Sequence, residues 1–274
     1  MRMRATWFLT ALLAAALLST TLAAKESWDN GEEGVLTDPA HEVSPVVDDL
    51  IRDFKPGMDT SELNWLTRFI RANCGGLRAI GDYRIVKPYT KWLSDTVQLT
   101  DEARRNMLQT LGALGDTSAA KVVMKYATDT TMRPLVRYEA AVAICLLGNA
   151  ETGTRVLQDL ALTKTVPFNW LAPWQFVGSE KKPVGLKSVA DEKALTLYVR
   201  WLAERATDEN TIAYSISYLL QKDDASKALA FRVAERALQS PDVYLPGQND
   251  RRDLLSRLAW FGGKRGKALA AKYE

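Results

Sequence analysis

The sequence predicts an all-α fold, a right-handed α-solenoid of about six stacked helical hairpins filling residues 44–274. Three observations lead there. A glycine-ended apolar segment recurs at nearly constant spacing. The apolar positions inside each recurrence follow the helical period. Each unit reads as two helices, neither able to bury its apolar stripe alone, so neighbouring units have to stack.

The recurrence is plain in the residues. Leu77-Arg78-Ala79-Ile80-Gly81-Asp82, Leu111-Gly112-Ala113-Leu114-Gly115-Asp116 and Ile144-Cys145-Leu146-Leu147-Gly148-Asn149 share one pattern. Gly81 to Gly115 is 34 positions, and Gly115 to Gly148 is 33. Trp92 and Tyr126 follow Gly81 and Gly115 by 11 positions, as Tyr273 follows Gly262 in the C-terminal Leu258-Ala259-Trp260-Phe261-Gly262. In the second unit, Thr100 is placed to cap a helix whose first residues, Asp101 and Glu102, suit the positive helix end. Met107, Leu108, Leu111 and Leu114 make its stripe, and Gly115 stands where a helix closes on a left-handed residue. Asp116 or Thr117 then caps a second helix carrying Val122, Val123 and Tyr126.

Residues 136–148, Val-Arg-Tyr-Glu-Ala-Ala-Val-Ala-Ile-Cys-Leu-Leu-Gly, resemble the signature of HEAT-like repeats of the short, phycobilisome-lyase-related type, within the armadillo-like superfamily. The match is specific over residues 101–162 and weaker outside them. The resemblance implies that Asp129 and Arg137 orient the turn between repeats. Arg104, 33 positions before Arg137, carries the same implication into the second unit. Tetratricopeptide and ankyrin repeats share the period, but their Trp-Leu-Gly and Thr-Pro-Leu-His signatures are missing.

Outside these units the pattern loosens. Phe168 to Gly178 reads as a first helix broken at Pro173, and Asp191 to Ala206 as its partner, with Leu195, Tyr198, Val199 and Leu202 on one face. Asp208 to Leu220 pairs with Ala225 to Leu238, and Asn249 to Phe261 with Lys264 to Tyr273. Near the start, Ser44-Pro45 reads as the cap and first position of a helix through Phe54. Asp59 with Glu62 reads as a capping box for a helix carrying Leu63, Leu66, Phe69 and Ile70. Trp65, Trp92, Trp201 and Trp260 fall at helical spacing and are expected in the core. Cys74 and Cys145 lie 71 positions apart, about two repeats. At roughly 8–10 Å per packed helix, the thiols are then roughly 15–20 Å apart. A disulfide needs Cα atoms within about 7 Å, so both are expected buried and free.

The first 24 residues read as a secretory signal peptide: Arg2 and Arg4, an apolar run from Trp7 to Leu18 broken only by Thr10, then small residues up to Ala23 and Ala24. About 12 apolar residues span roughly 18 Å as a helix, too short for a bilayer core of about 30 Å. Cleavage after Ala23 or Ala24 is expected, then a polar flexible tail over residues 25–43, and a periplasmic or secreted location without a transmembrane segment. Removing Arg2 and Arg4 takes the basic residues from 36 to 34 against 33 acidic ones, a net charge of +1. That balance gives no field to draw in nucleic acid. The charge is uneven, however. Residues 25–62 hold 11 acidic and 3 basic residues. Residues 250–274 hold 7 basic and 3 acidic ones, and Arg251, Arg252, Arg257, Lys264, Arg265 and Lys267 make a basic end. Two solvated faces account for this. The sharper alternatives are weak contact of the basic end with an anionic membrane surface or acidic partner, or head-to-tail self-association.

No catalytic, cofactor or metal site emerges. His41 is the only histidine and falls in the expected tail, whereas Ser-His-Asp and Cys-His chemistry needs an imidazole held against its nucleophile. Two cysteines and one histidine cannot assemble a zinc cluster, nor the several His-Glu pairs that a HEAT-like deoxyhypusine hydroxylase requires. Ser118 and Lys121, like Ser179 and Lys182, match Ser-x-x-Lys without the Ser-Asp-Asn and Lys-Thr-Gly elements that give it meaning. A carboxylate pair in a cleft stays open.

The candidate binding element is the interruption at residues 163–190, where Phe168, Trp170, Trp174 and Phe176 gather among prolines. Long loops in compact domains are commonly functional, and tryptophan is enriched at binding hot spots. The opposite expectation is that these aromatics cover a gap in the core. The leading reading is a non-catalytic scaffold or adaptor that holds an unidentified protein or peptide on a concave face lined by second helices. An envelope enzyme or glycan-binding subunit using the insert is the alternative, and a self-assembling structural solenoid the third.

Overall fold

Several helices of this chain begin where a short polar side chain satisfies a free backbone amide. A computed structural model describes residues 44–54, 58–95, 99–171 and 189–274, and all secondary structure among them is helical. The expected signal peptide, the tail with His41, and Trp174 and Phe176 lie outside the described residues.

Helix α1 (Ser44–Asp53) leads into α2 (Thr60–Ala72), α3 (Cys74–Ala79) and α4 (Val86–Ser94). Asp59 caps α2, accepting from the Ser61 and Glu62 amides, so the forward half of the expected capping box is present. Ser44 is the first helical residue of α1, but its hydroxyl does not cap; it donates to Asp82 Oδ2 at 2.7 Å. Next come α5 (Asp101–Leu114) with α6 (Ala120–Thr128), then α7 (Pro134–Leu146) with α8 (Ala150–Leu162). Thr100 caps α5 through the Ala103 amide as expected, and Asn149 caps α8 through Thr152. A 3-10 turn at Phe168–Leu171 precedes α9 (Val189–Arg205). The chain closes with α10 (Glu209–Leu219), α11 (Asp224–Gln239), a short unforeseen α12 (Pro241–Tyr244), α13 (Gln248–Phe261) and α14 (Gly263–Tyr273).

Three of the recurrent glycines hold the left-handed conformation: φ is +72° at Gly81 and Gly115 and +90° at Gly148. At Gly81 and Gly148 the six-to-one bond of a Schellman closure follows, Asp82 N to Leu77 O at 2.8 Å and Asn149 N to Ile144 O at 3.0 Å. In the last hairpin the left-handed residue is Gly263 at +58°, one position after the glycine that fits the repeat.

Helix contacts follow chain order along two rows. In one, α2 touches α5, α5 touches α7, the 3-10 turn touches α10, and α10 touches α13. Tyr138 on α7 bridges the remaining step, its hydroxyl donating to Trp170 O at 2.6 Å. In the other row α4, α6, α8, α9, α11 and α14 touch in succession. The broken first helix is thus a 3-10 turn standing in a helix position. Its carbonyls are satisfied from both sides, since Tyr198 on α9 donates to Leu171 O at 2.9 Å.

Helix α7 is buried nearly all round, the pattern of a helix enclosed by others. It is enclosed closely. A Cβ on Gly112 of α5 would lie 2.8 Å from Ala143 Cα, and one on Gly153 of α8 would collide with Cys145 Sγ and stand 2.5 Å from Ala141 O. Both neighbours approach α7 as only a residue without a side chain permits.

Several expectations need correction. Trp92 is buried beneath Phe54, ring centroids 3.8 Å apart. Trp201 is half-buried between Tyr198 and Arg205. Trp65 and Trp260, however, are 49% and 79% exposed. Trp65 stacks on Phe69 along the solvent side of α2, and Trp260 sits near the end of α13, at the turn into α14. Cys145 is buried and free, whereas Cys74 is free but only half-buried, at the start of α3.

Asp129 and Arg137 serve the same connection without pairing by hydrogen bond. Asp129 accepts from the amide and hydroxyl of Thr131, at 2.9 and 2.7 Å. Arg137 reaches Ala127 O, near the end of α6, and its ion pair is with Asp159 on α8 at 3.1 Å. Arg104 pairs with Asp101 at 3.0 Å and meets the Tyr126 hydroxyl, which stands where Arg137 has Asp159. The equivalent carbonyl, Leu93 O near the end of α4, is taken by the Tyr126 hydroxyl at 2.9 Å. Tyr126 is the position equivalent to Asp159, 33 residues earlier. The bond to the preceding helix end persists while the residue supplying it changes.

Two stability experiments follow. Gly153→Ala is expected to cost about 2–3 kcal/mol through overpacking. Gly115→Ala, which meets nothing within 4 Å, is expected to cost only the left-handed penalty of about 1–2 kcal/mol; urea denaturation ranks the two. Separately, hydrogen bonds from the Arg84 guanidinium, helped by the Ser44 hydroxyl, outweigh partial burial and hold the Asp82 carboxyl down at about 2. A depressed carboxylate contributes stability above its unfolded value of about 3.9 and loses it as pH falls towards the folded one. The stability gap between wild type and Asp82→Asn is therefore expected to be flat from about pH 6 to 8 and to shrink between about pH 4 and 2, read by denaturation at each pH.

Candidate functional site

In the described part of the aromatic insert, Val166 and Leu171 are buried in the core. Trp170 is 40% exposed, its ring 6.3 Å from Tyr138. Leu171, next to it, is buried. Phe168 opens the 3-10 turn. This part of the insert fills the missing first-helix position, while Trp174 and Phe176 lie outside the described residues.

The basic end divides in two. Arg251 donates to Tyr273 O, Arg257 pairs with Asp253 at 2.6 Å and lies over the Tyr214 ring, and Arg265 lies 4.3 Å from the centre of Phe231. Arg251 thus ties α13 to α14, while Arg257 and Arg265 fasten that hairpin to α10 and α11. Arg252, Lys264 and Lys267 are exposed.

Spacing alone did not single out the larger site. Along the row of first helices runs a hollow of about 550 Å³, walled by Arg68 and Arg71 of α2, by Glu102, Arg105 and Gln109 of α5, and by residues 133–136 at the start of α7. Arg71 and Gln109 also border an adjoining hollow of about 310 Å³, whose other walls include Ala113, Val142, Ala143 and Leu146. The two make one groove with an arginine-rich end and an apolar end. It crosses first helices, not the second helices expected to line a binding face.

Charges one repeat apart join across the groove. Arg68 pairs with Glu102, and Arg105 with Glu139 at 3.1 Å; each pair is separated by 34 positions. Arg71, in turn 34 positions before Arg105, donates to Gln109 Oε1 at 3.0 Å. Arg71 and Arg105 are thus one register position on α2 and α5, and Glu139 stands one residue past the equivalent position on α7. Glu139 is 3% exposed, and Arg105 Nε is buried without a hydrogen-bond partner. Beneath them a polar seam ties α2 to α5: Thr100 donates to Asn64 Oδ1 at 2.5 Å, and Asn106 to Thr67 Oγ1 at 3.3 Å. Opposite charges at a 34-residue interval are the signal that reveals this site in the sequence.

No family model, curated sequence or solved structure matches the chain. Its chemistry is therefore argued from the groove itself. Among the described residues no group of three or more His, Cys, Asp or Glu side chains could hold a metal ion, and no helix is long and apolar enough to cross a membrane. Ser118 is exposed in a 3-10 turn, its amide held by Asp116, and Ser179 with Lys182 lies outside the described residues. What the groove can supply is guanidinium donors beside an apolar floor. Guanidinium groups bind carboxylates through paired donors, and small aliphatic side chains accept an apolar residue.

Removing the Glu139 charge leaves Arg105 without its carboxylate. Breaking a fully buried pair costs about 3–5 kcal/mol, but the Arg105 side chain is 33% exposed, which reduces the penalty. Glu139→Gln is expected to destabilise by about 1–2 kcal/mol. Adding Arg105→Gln is expected to recover part of that in a double-mutant cycle by thermal denaturation.

Proposed function

We propose that this protein is a binding scaffold, with no chemistry of its own, that holds an extended segment of a partner protein in the groove across α2, α5 and α7. The finer architecture proposed with it is a right-handed solenoid of HEAT-like hairpins. The succession of contacts along both helix rows and the left-handed glycines at near-constant spacing support that reading. The proposed setting is the periplasm or the secreted space, on the strength of the basic, apolar and small-residue order of residues 1–24.

The observation that carries the proposal is the groove's two-part lining. Arg68, Arg71, Arg105 and Arg133 border one end together with Asp101 and Glu102, and Ala113, Val142, Ala143 and Leu146 border the other beside Glu139. Arg68, Arg105 and Arg133 are already paired with Glu102, Glu139 and Asp101, which leaves Arg71 as the guanidinium without an acidic partner among the described residues. A peptide bearing Asp or Glu near a small apolar side chain satisfies both ends together. The Arg105 Nε already lacks an acceptor, and a buried unpaired donor is costly. Arg71 donates to the neutral Gln109, so a carboxylate gains donors without first displacing an acidic side chain from Arg71. A preformed groove also limits the ordering cost of capture.

The test is selection from a random 12-residue display library against the purified chain, with binding of the selected peptides then measured by calorimetry. Selected peptides are expected to carry an acidic residue close to an apolar one. Arg71→Glu is expected to weaken them at least about tenfold, about 1.4 kcal/mol, as is Val142→Glu. Peptides without acidic residues, or peptides that bind Arg71→Glu and Val142→Glu as tightly as wild type, would contradict the proposal.

A further inference from the structure

The last hairpin carries a surface that the groove does not use. Trp260 is the most exposed large hydrophobic side chain among the described residues, and Phe261 beside it is 36% exposed. Both stand where α13 gives way to α14 through Gly262 and Gly263, so they project at the tip of a hairpin. From Leu254 to Tyr273 there is no Asp or Glu, against five basic residues. Arg257 and Arg265 are committed to Tyr214 and Phe231, and Lys272 lies over Tyr273. Lys264 and Lys267 are exposed and make no ion pair among the described residues.

We infer that this tip docks on an anionic lipid surface. Trp260 and Phe261 enter the headgroup layer, and Lys264 and Lys267 meet lipid phosphates. Indole rings favour that layer because one part is apolar and the N–H can stay wet. Basic residues near an anionic leaflet add an attraction that salt weakens. A projecting pair of aromatics suits a deformable surface better than a protein partner, whose hot-spot aromatics seat in pockets. The hollow on this same hairpin, lined by residues such as Arg252, Leu255 and Ala259, does not include Trp260 or Phe261. Neither Lys264 nor Lys267 would have to give up a carboxylate to reach the lipid. This contact is independent of the peptide groove, which is formed by α2, α5 and α7.

Co-sedimentation with vesicles tests it, comparing phosphatidylcholine containing about one-third phosphatidylglycerol with phosphatidylcholine alone. Whatever residues 1–43 contribute is common to every variant of the same chain. The wild type is expected to bind anionic vesicles at least tenfold more tightly than neutral ones, less so at high salt. Trp260→Ala with Phe261→Ala, and separately Lys264→Glu with Lys267→Glu, are each expected to weaken that binding at least tenfold while leaving the circular dichroism melt unchanged. Quenching of tryptophan emission by acyl-brominated lipid is expected to fall in Trp260→Phe. Equal binding by all variants, or no preference for the anionic vesicles, overturns the inference. So does a protein that ignores vesicles but forms salt-sensitive oligomers lost in the same variants, which would assign the tip to a second copy of the chain.

Discussion

The structure depends most on how closely α7 is gripped between α5 and α8. Gly112 and Gly153 let both neighbours press their backbones against Ala143, Ala141 and Cys145. That approach leaves α7 buried on nearly every side and fixes the height at which its first turn meets α5. The groove is a consequence. Its apolar end is lined by Val142, Ala143 and Leu146 of α7 with Ala113 of α5, and its other walls are side chains on α2 and α5. A wider separation of α5 from α7 would pull Glu139 away from Arg105.

The same packing explains why polar groups can cluster along these helices at modest cost. Glu139 is deeply buried but faces a guanidinium, and Thr67 and Asn106 satisfy each other between α2 and α5. Each contact joins one hairpin to the next, so these polar contacts reinforce the order that apolar burial sets up. Where the run of first helices breaks, a 3-10 turn with its carbonyls held by Tyr138 and Tyr198 keeps the rows continuous. The aromatic insert, in its described part, belongs to that repair.

Local chemistry made much of the fold legible in the sequence. Thr100 and Asp59 are caps because short polar side chains reach free amides. Gly81, Gly115 and Gly148 are left-handed because the chain must reverse there. Leu195, Tyr198, Val199 and Leu202 are buried along one stripe, as their spacing required. Features set by neighbouring hairpins were harder to read. Helical spacing marks Trp260 as one of a stripe but does not say that it falls on the exposed side at the turn from α13 into α14. Arg137 and Asp129 look like partners in sequence, yet Asp159 on the following helix captures the arginine. The groove is not legible from glycine and apolar spacing, because its arginines become a site only when the 34-residue interval is applied to charge as well.

Crosslinking measures the successive stacking on which all of this rests. In a Cys74→Ser background, with Cys145 buried and protected, Arg68→Cys is combined with Glu102→Cys, one repeat away, or with Glu139→Cys, two repeats away. A short bifunctional thiol reagent is expected to join the first pair within one chain and to leave the second unjoined. Efficient joining of the second pair, or failure of the first, would show that hairpins adjacent in sequence are not adjacent in space and would contradict the account.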